Sequence, residues 1–233
     1  MLIDCHSHTS KISKCCQISA EDAVVLAKQK GMDGMVLTNH YVKDYLQGKN
    51  AEDFVKEYID EFYFTKECGD KIGFRVFFGI EVSMEMYPQV HLVVLGVRDE
   101  FLYEHPYLFK YSQKELYQIV KEAGGILIQA HPFRYGDHLM DIKYLDALEV
   151  NCHPLYGKSY AEKTIEIAKK GNLALTCGAD FHNDTYRAKC GLYVPDNITD
   201  SIELSKYIME SPGLKICIQE PNDPDTYDYE YFR

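Results

Sequence analysis

Three stretches of the chain repeat one shape: KGMDGMVLTNH (30–40), EAGGILIQAHP (122–132) and KKGNLALTCGAD (169–180). Each reads as a helix end, a glycine, a short run of buried-type residues and then polar residues. That is the helix-to-strand return of a βα unit, and its repetition points to a parallel barrel or a doubly wound sheet. Candidate strands fall at 2–6, 34–38, 75–82, 91–97, 125–130, 146–151 and 173–178. Helix-like stretches lie between them at 19–30, 51–67, 112–123, 159–170 and 200–210, the first opened by Ser19 with Asp22 three residues on, as in a capping box. No long Pro/Gly/Ser linker interrupts the pattern, so residues 1–233 read as a single domain. The acidic, proline-broken tail 219–233 reads as a surface strap or a disordered segment.

Composition excludes several classes. A hydrophobic fraction of 46% suits a soluble globular protein, and no apolar run is long enough to span a membrane. No basic-then-apolar leader opens the chain, so the eight cysteines, lacking the spacing of a disulfide framework, are expected as free thiols in the cytoplasm. A net charge of −11 argues against a broad nucleic-acid surface. It leaves room for an anionic substrate in a small site, where bound cations reverse the local field.

The opening MLIDCHSHTS sets Asp4, His6 and His8 at alternate positions, hence on one face of an extended strand. The other histidines and acids collect in similar places. His40 ends VLTNH, Glu81 ends RVFFGIE, His131 ends ILIQAH, and Asp180 and His182 follow LALTCGADFH. His91 instead precedes LVVLG, as in a strand returning after a turn near Pro88. Parallel α/β folds gather their active sites at the carboxyl ends of strands. Imidazole and carboxylate together suit Zn, Mn or Fe(II), and this many donors exceed what one tetrahedral ion uses. The pattern therefore implies a multinuclear centre in which His6 and His8 grip one ion and Asp4 orients an imidazole.

The segments DCHSH, LTNH, GIEVS, HLVVLG, AHPFR and GADFH, in order from residue 4 to residue 182, resemble the PHP (polymerase and histidinol phosphatase) family of metal-dependent phosphoesterases. The resemblance implies an α/β fold, a distorted (β/α)7 barrel with two or three divalent metal ions at the carboxyl ends of its strands. By position, one ion would be held by His6, His8, Glu81 and Asp180, and a second by Glu81, His91 and His131 with Glu81 bridging. A third would use His40 and His182. Two departures bear on that third position. Asn39 stands where the family usually has Asp, and the loop TSKISKCCQIS lacks the usual His or acid after the opening pair. Cys15 or Cys16 is available there as a soft thiolate ligand; the alternative is that both are ordinary thiols.

The implied reaction is phosphate-ester hydrolysis by a metal-activated hydroxide on a small phosphomonoester. Glu81 would bridge the metals, Arg134 clamp the phosphate, and His153 protonate the leaving group; Lys11 and Lys14 are further candidates for substrate contact. Tyr41 and Tyr45 follow His40 and are placed at the mouth of the site, whereas His105 and His138 have no such placement. Rival readings are a nuclease or phosphodiesterase acting on the 5′ ends of short oligonucleotides, an amidohydrolase-type enzyme, and a catalytically silent metal-binding regulatory module.

Overall fold

The glycine-then-apolar stretches do form strands of one sheet, as a computed structural model of the protein shows for residues 1–233 apart from 47, 137, 184–187, 221, 222 and 224. The elements in chain order are β1 (Leu2–Ser7), α1 (Ala20–Gln29), β2 (Gly34–Leu37), β3 (His40–Tyr41), α2 (Ala51–Lys71), β4 (Arg75–Ser83) and β5 (His91–Leu95). There follow α3 (Glu100–Glu104), α4 (Gln113–Glu122), β6 (Ile126–Gln129), β7 (Ala147–Asn151), α5 (Lys158–Gly171) and β8 (Ala174–Gly178). The chain ends with β9 (Gly191–Tyr193), α6 (Ser201–Glu210), β10 (Gly213–Gln219) and β11 (Thr226–Phe232).

The strand order is β11-β10-β9-β1-β2-β4-β5-β6-β7-β8, with β3 beside β4. A parallel bridge between Ser7 and Phe181 and a bond from Asp180 N–H to the His6 carbonyl (2.9 Å) bring the end of β8 back to β1. The sheet thus curls into a nearly closed barrel.

A regular (β/α)7 repeat is not what forms. No helix separates β4 from β5, and β5 runs antiparallel to both β4 and β6, with Ser83 opposite His91 across the turn that Pro88 marks. The reversal has a functional consequence. The first residue of β5, His91, comes to the same end of the barrel as the last residues of the forward-running strands.

The apolar faces of α1, α2, α4, α5 and α6 pack on the barrel through one core that includes Val24, Phe54, Leu116, Ala168 and Leu204. Ser19 caps α1 by accepting the Asp22 N–H (3.2 Å), while its hydroxyl is taken up by the Asp22 carboxylate (3.1 Å). The reciprocal capping box forms at α4 instead, between Ser112 and Glu115. The tail does lie on the surface, but residues 226–232 form a regular strand paired with β10 over its whole length. All eight cysteines are free thiols. Among the described residues, no helix is long and apolar enough to cross a membrane.

Gly178 fixes the approach of β8 to β1. A Cβ there would lie 2.4 Å from His6 Cβ, 2.7 Å from His6 N and 2.8 Å from Glu149 Oε1, all of them held inside the barrel. Gly178→Ala should therefore lower stability by about 1–3 kcal/mol, the usual penalty for overpacking a filled core. Urea denaturation checks this, and a variant as stable as the parent would show that the two strands part without cost.

Candidate metal centre

Eight imidazole or carboxylate side chains converge at the mouth of the barrel, and Glu81 lies among them. It is fully buried near the end of β4. Its Oε1 is 2.8 Å from His91 Nδ1, 3.2 Å from His131 Nε2 and 3.2 Å from His6 Nε2. Its Oε2 is 2.5 Å from His40 Nδ1 and 3.6 Å from His8 Nε2. Burial alone would raise the carboxyl pKa, yet the positive charge available on His40, His91 and His6 holds it well below the usual range.

Asp180, on the loop after β8, forms the second focus. Its Oδ1 lies 3.0 Å from His8 Nε2 and 3.5 Å from both His6 Nε2 and His182 Nδ1. Its Oδ2 meets the Arg134 guanidinium. Burial again opposes ionisation, and His6, His8 and Arg134 overcome it, so this carboxyl also sits well below its ordinary range. Asp180 (φ 49°) and His131 (φ 29°) both have left-handed backbones, uncommon for residues with a Cβ. Each lies just past a strand end, where this conformation swings the side chain into the mouth at a cost of about 1–3 kcal/mol.

The hydrogen bonds behind the rings decide which nitrogens face inward as lone pairs. His6 Nδ1 is 2.8 Å from Glu149 Oε1, an acceptor, so Nδ1 carries the proton and Nε2 is bare. At His8 the partner is Ser13 Oγ, 3.1 Å from Nδ1. That hydroxyl donates to Asn39 Oδ1 (2.9 Å) and accepts the His40 N–H (3.0 Å), so it accepts from His8 as well. His182 Nδ1 donates to the Asp180 carbonyl (3.0 Å). His6, His8 and His182 thus aim bare Nε2 atoms at the centre. His6 Nε2, His40 Nδ1 and Glu81 Oε2 are buried without a hydrogen-bond partner. Lone pairs facing carboxylate oxygens at 3.0–3.6 Å repel unless positive charge lies between them, and this N/O donor set fits divalent cations. Within it, His6/His8/Asp180, His6/Glu81/His131, His40/Glu81/His91 and His8/His40/His182 each bring three donor atoms within 4.8 Å of one another.

Several expectations require correction. Asp4 braces backbone: its Oδ1 accepts the N–H groups of His6 and Ala179, both at 3.0 Å, locking β1 to the loop after β8. The orienting group behind the His6 ring is Glu149, which also accepts the His131 N–H (2.9 Å) and the Asn151 amide (3.1 Å). Its signal is visible in the sequence as the one acid inside the apolar strand ALEVN. Lys11 points away to Glu61 of α2 (3.6 Å), and Lys14 lies over the Tyr45 ring. Tyr41 is core, its hydroxyl bonded to the Pro106 carbonyl, because β3 buries it against Phe54 and Tyr58.

His153 lies at the mouth, 3.2 Å from Arg134 Nη2, with its Nδ1 accepting the Leu155 N–H. Burial and the neighbouring guanidinium push it down to about 4, so it is neutral at physiological pH and not poised to donate a proton. Asn39, at the first departure from the family pattern, is a buried scaffold that accepts the Thr9 N–H and donates to the Thr9 hydroxyl. Cys15 lines the mouth, whereas Cys16 is buried with its thiol toward the Ile18 carbonyl (3.9 Å). His105 bonds Tyr111, outside the cluster. The mouth itself is a cavity of about 270 Å³ bordered by Arg134, Tyr135 and His153 together with Cys15, His40, His91, Asp180 and His182.

No protein-family model matches the sequence, and no curated protein does. Solved structures do match. A provisionally assigned metal-dependent phosphoesterase from Bifidobacterium adolescentis superposes with a TM-score of 0.55 at 16% identity, over 88% of this chain and 94% of that one. A two-domain protein from Bacteroides vulgatus with a predicted PHP-like metal-dependent phosphoesterase gives 0.58 at 16% identity, over all of this chain and 65% of that one. An amidohydrolase from Chromobacterium violaceum, with sulfate and no metal, gives 0.54 at 14% identity over 84% and 93%. These likenesses establish a PHP-like fold.

Glu149 touches no inward-facing donor atom; it holds the rings from behind. Glu149→Gln, which can no longer offer two acceptor oxygens to His6, His131 and Asn151, should weaken divalent-metal affinity about 10- to 100-fold with the fold retained. Competition with a chelator measures this, and unchanged affinity would remove Glu149 from the centre.

Proposed function

We propose that the chain is a metal-dependent phosphoesterase acting on a small phosphomonoester. The observation that carries this reading is Glu81, a fully buried carboxylate within 3.6 Å of five imidazoles, with one oxygen lacking a hydrogen-bond partner. In this reading His6, His8, Glu81 and Asp180 hold one divalent ion, Glu81, His91 and His131 hold a second, and His40 and His182 contribute to a third. Bound cations supply Lewis acidity, acidifying water and offsetting charge on the phosphoryl oxygens.

The protein's own groups supply the rest. Glu149 and Ser13 keep the rings in the tautomer that faces the centre. Arg134 lies on the mouth between Asp180 and His153, where its planar guanidinium can pair two phosphate oxygens. Neutral His153, whose Nδ1 already accepts the Leu155 N–H, borders the phosphate position beside this guanidinium, and the leaving group draws its proton from water. A cavity of about 270 Å³ suits a phosphate with a small ester group better than an oligonucleotide track.

The test is a screen of phosphomonoesters, phosphodiesters including short oligonucleotides, and amides, on protein reconstituted separately with Mn, Zn and Fe(II). Hydrolysis of a phosphomonoester that is lost with chelator is expected. Amide hydrolysis alone would favour the amidohydrolase class, and full metal content with no turnover would favour a silent regulatory module.

Two variants probe the roles. Glu81→Ala should lose both metal and hydrolysis, because removing the shared negative charge leaves the cations repelling each other. Arg134→Ala should keep its metal and lose roughly 10- to 150-fold in kcat/KM, the worth of a charge-assisted bond of about 1.5–3 kcal/mol. Arg134→Lys should recover only part of that, since a point charge cannot pair two oxygens in one plane. Retention of metal and activity by Glu81→Ala would end the mechanism; unchanged hydrolysis by Arg134→Ala would end the clamp.

A further inference from the structure

His40 and His182 face each other through their Nε2 atoms at 3.3 Å. His182 Nε2 is bare, because Nδ1 donates to the Asp180 carbonyl. If His40 carries its proton on Nδ1, two lone pairs meet at this distance. If the proton is on Nε2, the bare Nδ1 lies 2.5 Å from Glu81 Oε2, again acceptor against acceptor. A neutral His40 therefore cannot satisfy both contacts: this 90% buried side chain needs positive charge, either a second ring proton or a cation held between the two Nε2 atoms. Two nitrogens on a tetrahedral ion with bonds of about 2.0–2.1 Å stand about 3.3–3.4 Å apart. That is the spacing found.

A third donor reaches the same point. Cys15 borders the same cavity as His40 and His182, with the Tyr45 hydroxyl 4.0 Å from its Sγ. The loop presenting it is pinned to both histidines: Gln17 N–H donates to the His182 carbonyl (2.8 Å), and Ser13 Oγ accepts the His40 N–H (3.0 Å). Inside the loop, Ser13 N–H bonds the Thr9 carbonyl (3.0 Å) and Cys16 N–H the Ser13 carbonyl (2.8 Å), which turns Cys15 toward the mouth and Cys16 into the core.

We propose that Cys15 is a thiolate ligand which, with His40 and His182, completes a third cation position of mixed nitrogen and sulfur character. Binding forms a metal–sulfur bond and releases the thiol proton to solvent. Sulfur at this position selects Zn, Fe(II) or Co(II) over hard Mg. The proposal rests on the metal-centre reading above and adds to it the identity of one ligand.

The experiment strips metal from the full chain and titrates it with Co(II) alone, following absorbance and bound cobalt. Wild type should show a near-ultraviolet sulfur-to-cobalt charge-transfer band. Cys15→Ser should lose the band and one equivalent of cobalt, Cys16→Ser should keep both, and Cys15→His should recover the cobalt without the band. Cobalt d–d absorption with no charge-transfer band in wild type overturns the thiolate ligand, and phosphoester hydrolysis by that protein would leave the proposed function standing. A band that survives in Cys15→Ser places the thiolate elsewhere and overturns the proposal too. A protein that binds no cobalt overturns both readings.

Discussion

A carboxylate with no exposed surface is among the most expensive groups a protein can bury, and Glu81 is such a group. It is tolerated only because five imidazoles from β1, its following loop, β3, β5 and the turn after β6 reach within 3.6 Å of it. Each of those chain segments must therefore stop at one level of the barrel. Asp4, Glu149 and Asp180 are buried close by, so the mouth carries four acids, of which Glu81 and Asp180 face the imidazole nitrogens directly. Histidine protons can offset part of that charge, and divalent ions offset it without requiring rings to be doubly protonated in a buried setting.

The barrel is arranged around that requirement. Reversing β5 puts His91 at the mouth although it begins its strand. Left-handed turns at His131 and Asp180 redirect two donors two residues after their strands end. Asp4 then ties the loop carrying Asp180 to β1, so β8 is joined to β1 at the site and not at a distant edge. A residue that closes the fold and a residue that builds the centre are here neighbours in one hydrogen-bond network.

How much of this could be read in the sequence follows from the range of the signals. The strands that carry the donors declare themselves through short apolar runs ended by His, Glu or Asp, because those residues are otherwise out of place beside Ile and Val. Strand direction is not in the run itself; only Pro88 and the turn around it hinted that β5 comes back. Glu149 sits within its strand instead of ending it and so lacks that mark, and the strand face on which Asp4 lies cannot tell a ring nitrogen from a backbone N–H. Tyr41 followed the same logic: adjacency to His40 placed it at the mouth, but alternation along β3 turns it into the core. The three-residue β9 and the tail strand β11 are too short or too acidic to show a period, and they form because β10 offers them a partner.

The charge of the whole chain works against its own proposed substrate. At −11 the protein repels a phosphate ester at long range. At physiological ionic strength that field is screened within about 8 Å, so capture depends on what the anion meets at the mouth. There it meets Arg134, whose guanidinium is held on three sides, by Asp180, by His153 at 3.2 Å and by the Tyr135 ring with its centroid 5.1 Å away. A cation fixed in this way needs no reorganisation when an oxyanion arrives, which is the condition under which electrostatic stabilisation is most effective. For the phosphomonoester proposed as substrate, a local positive site inside a negative protein favours a single small phosphate over a large polyanion, whose many charges meet the repelling surface.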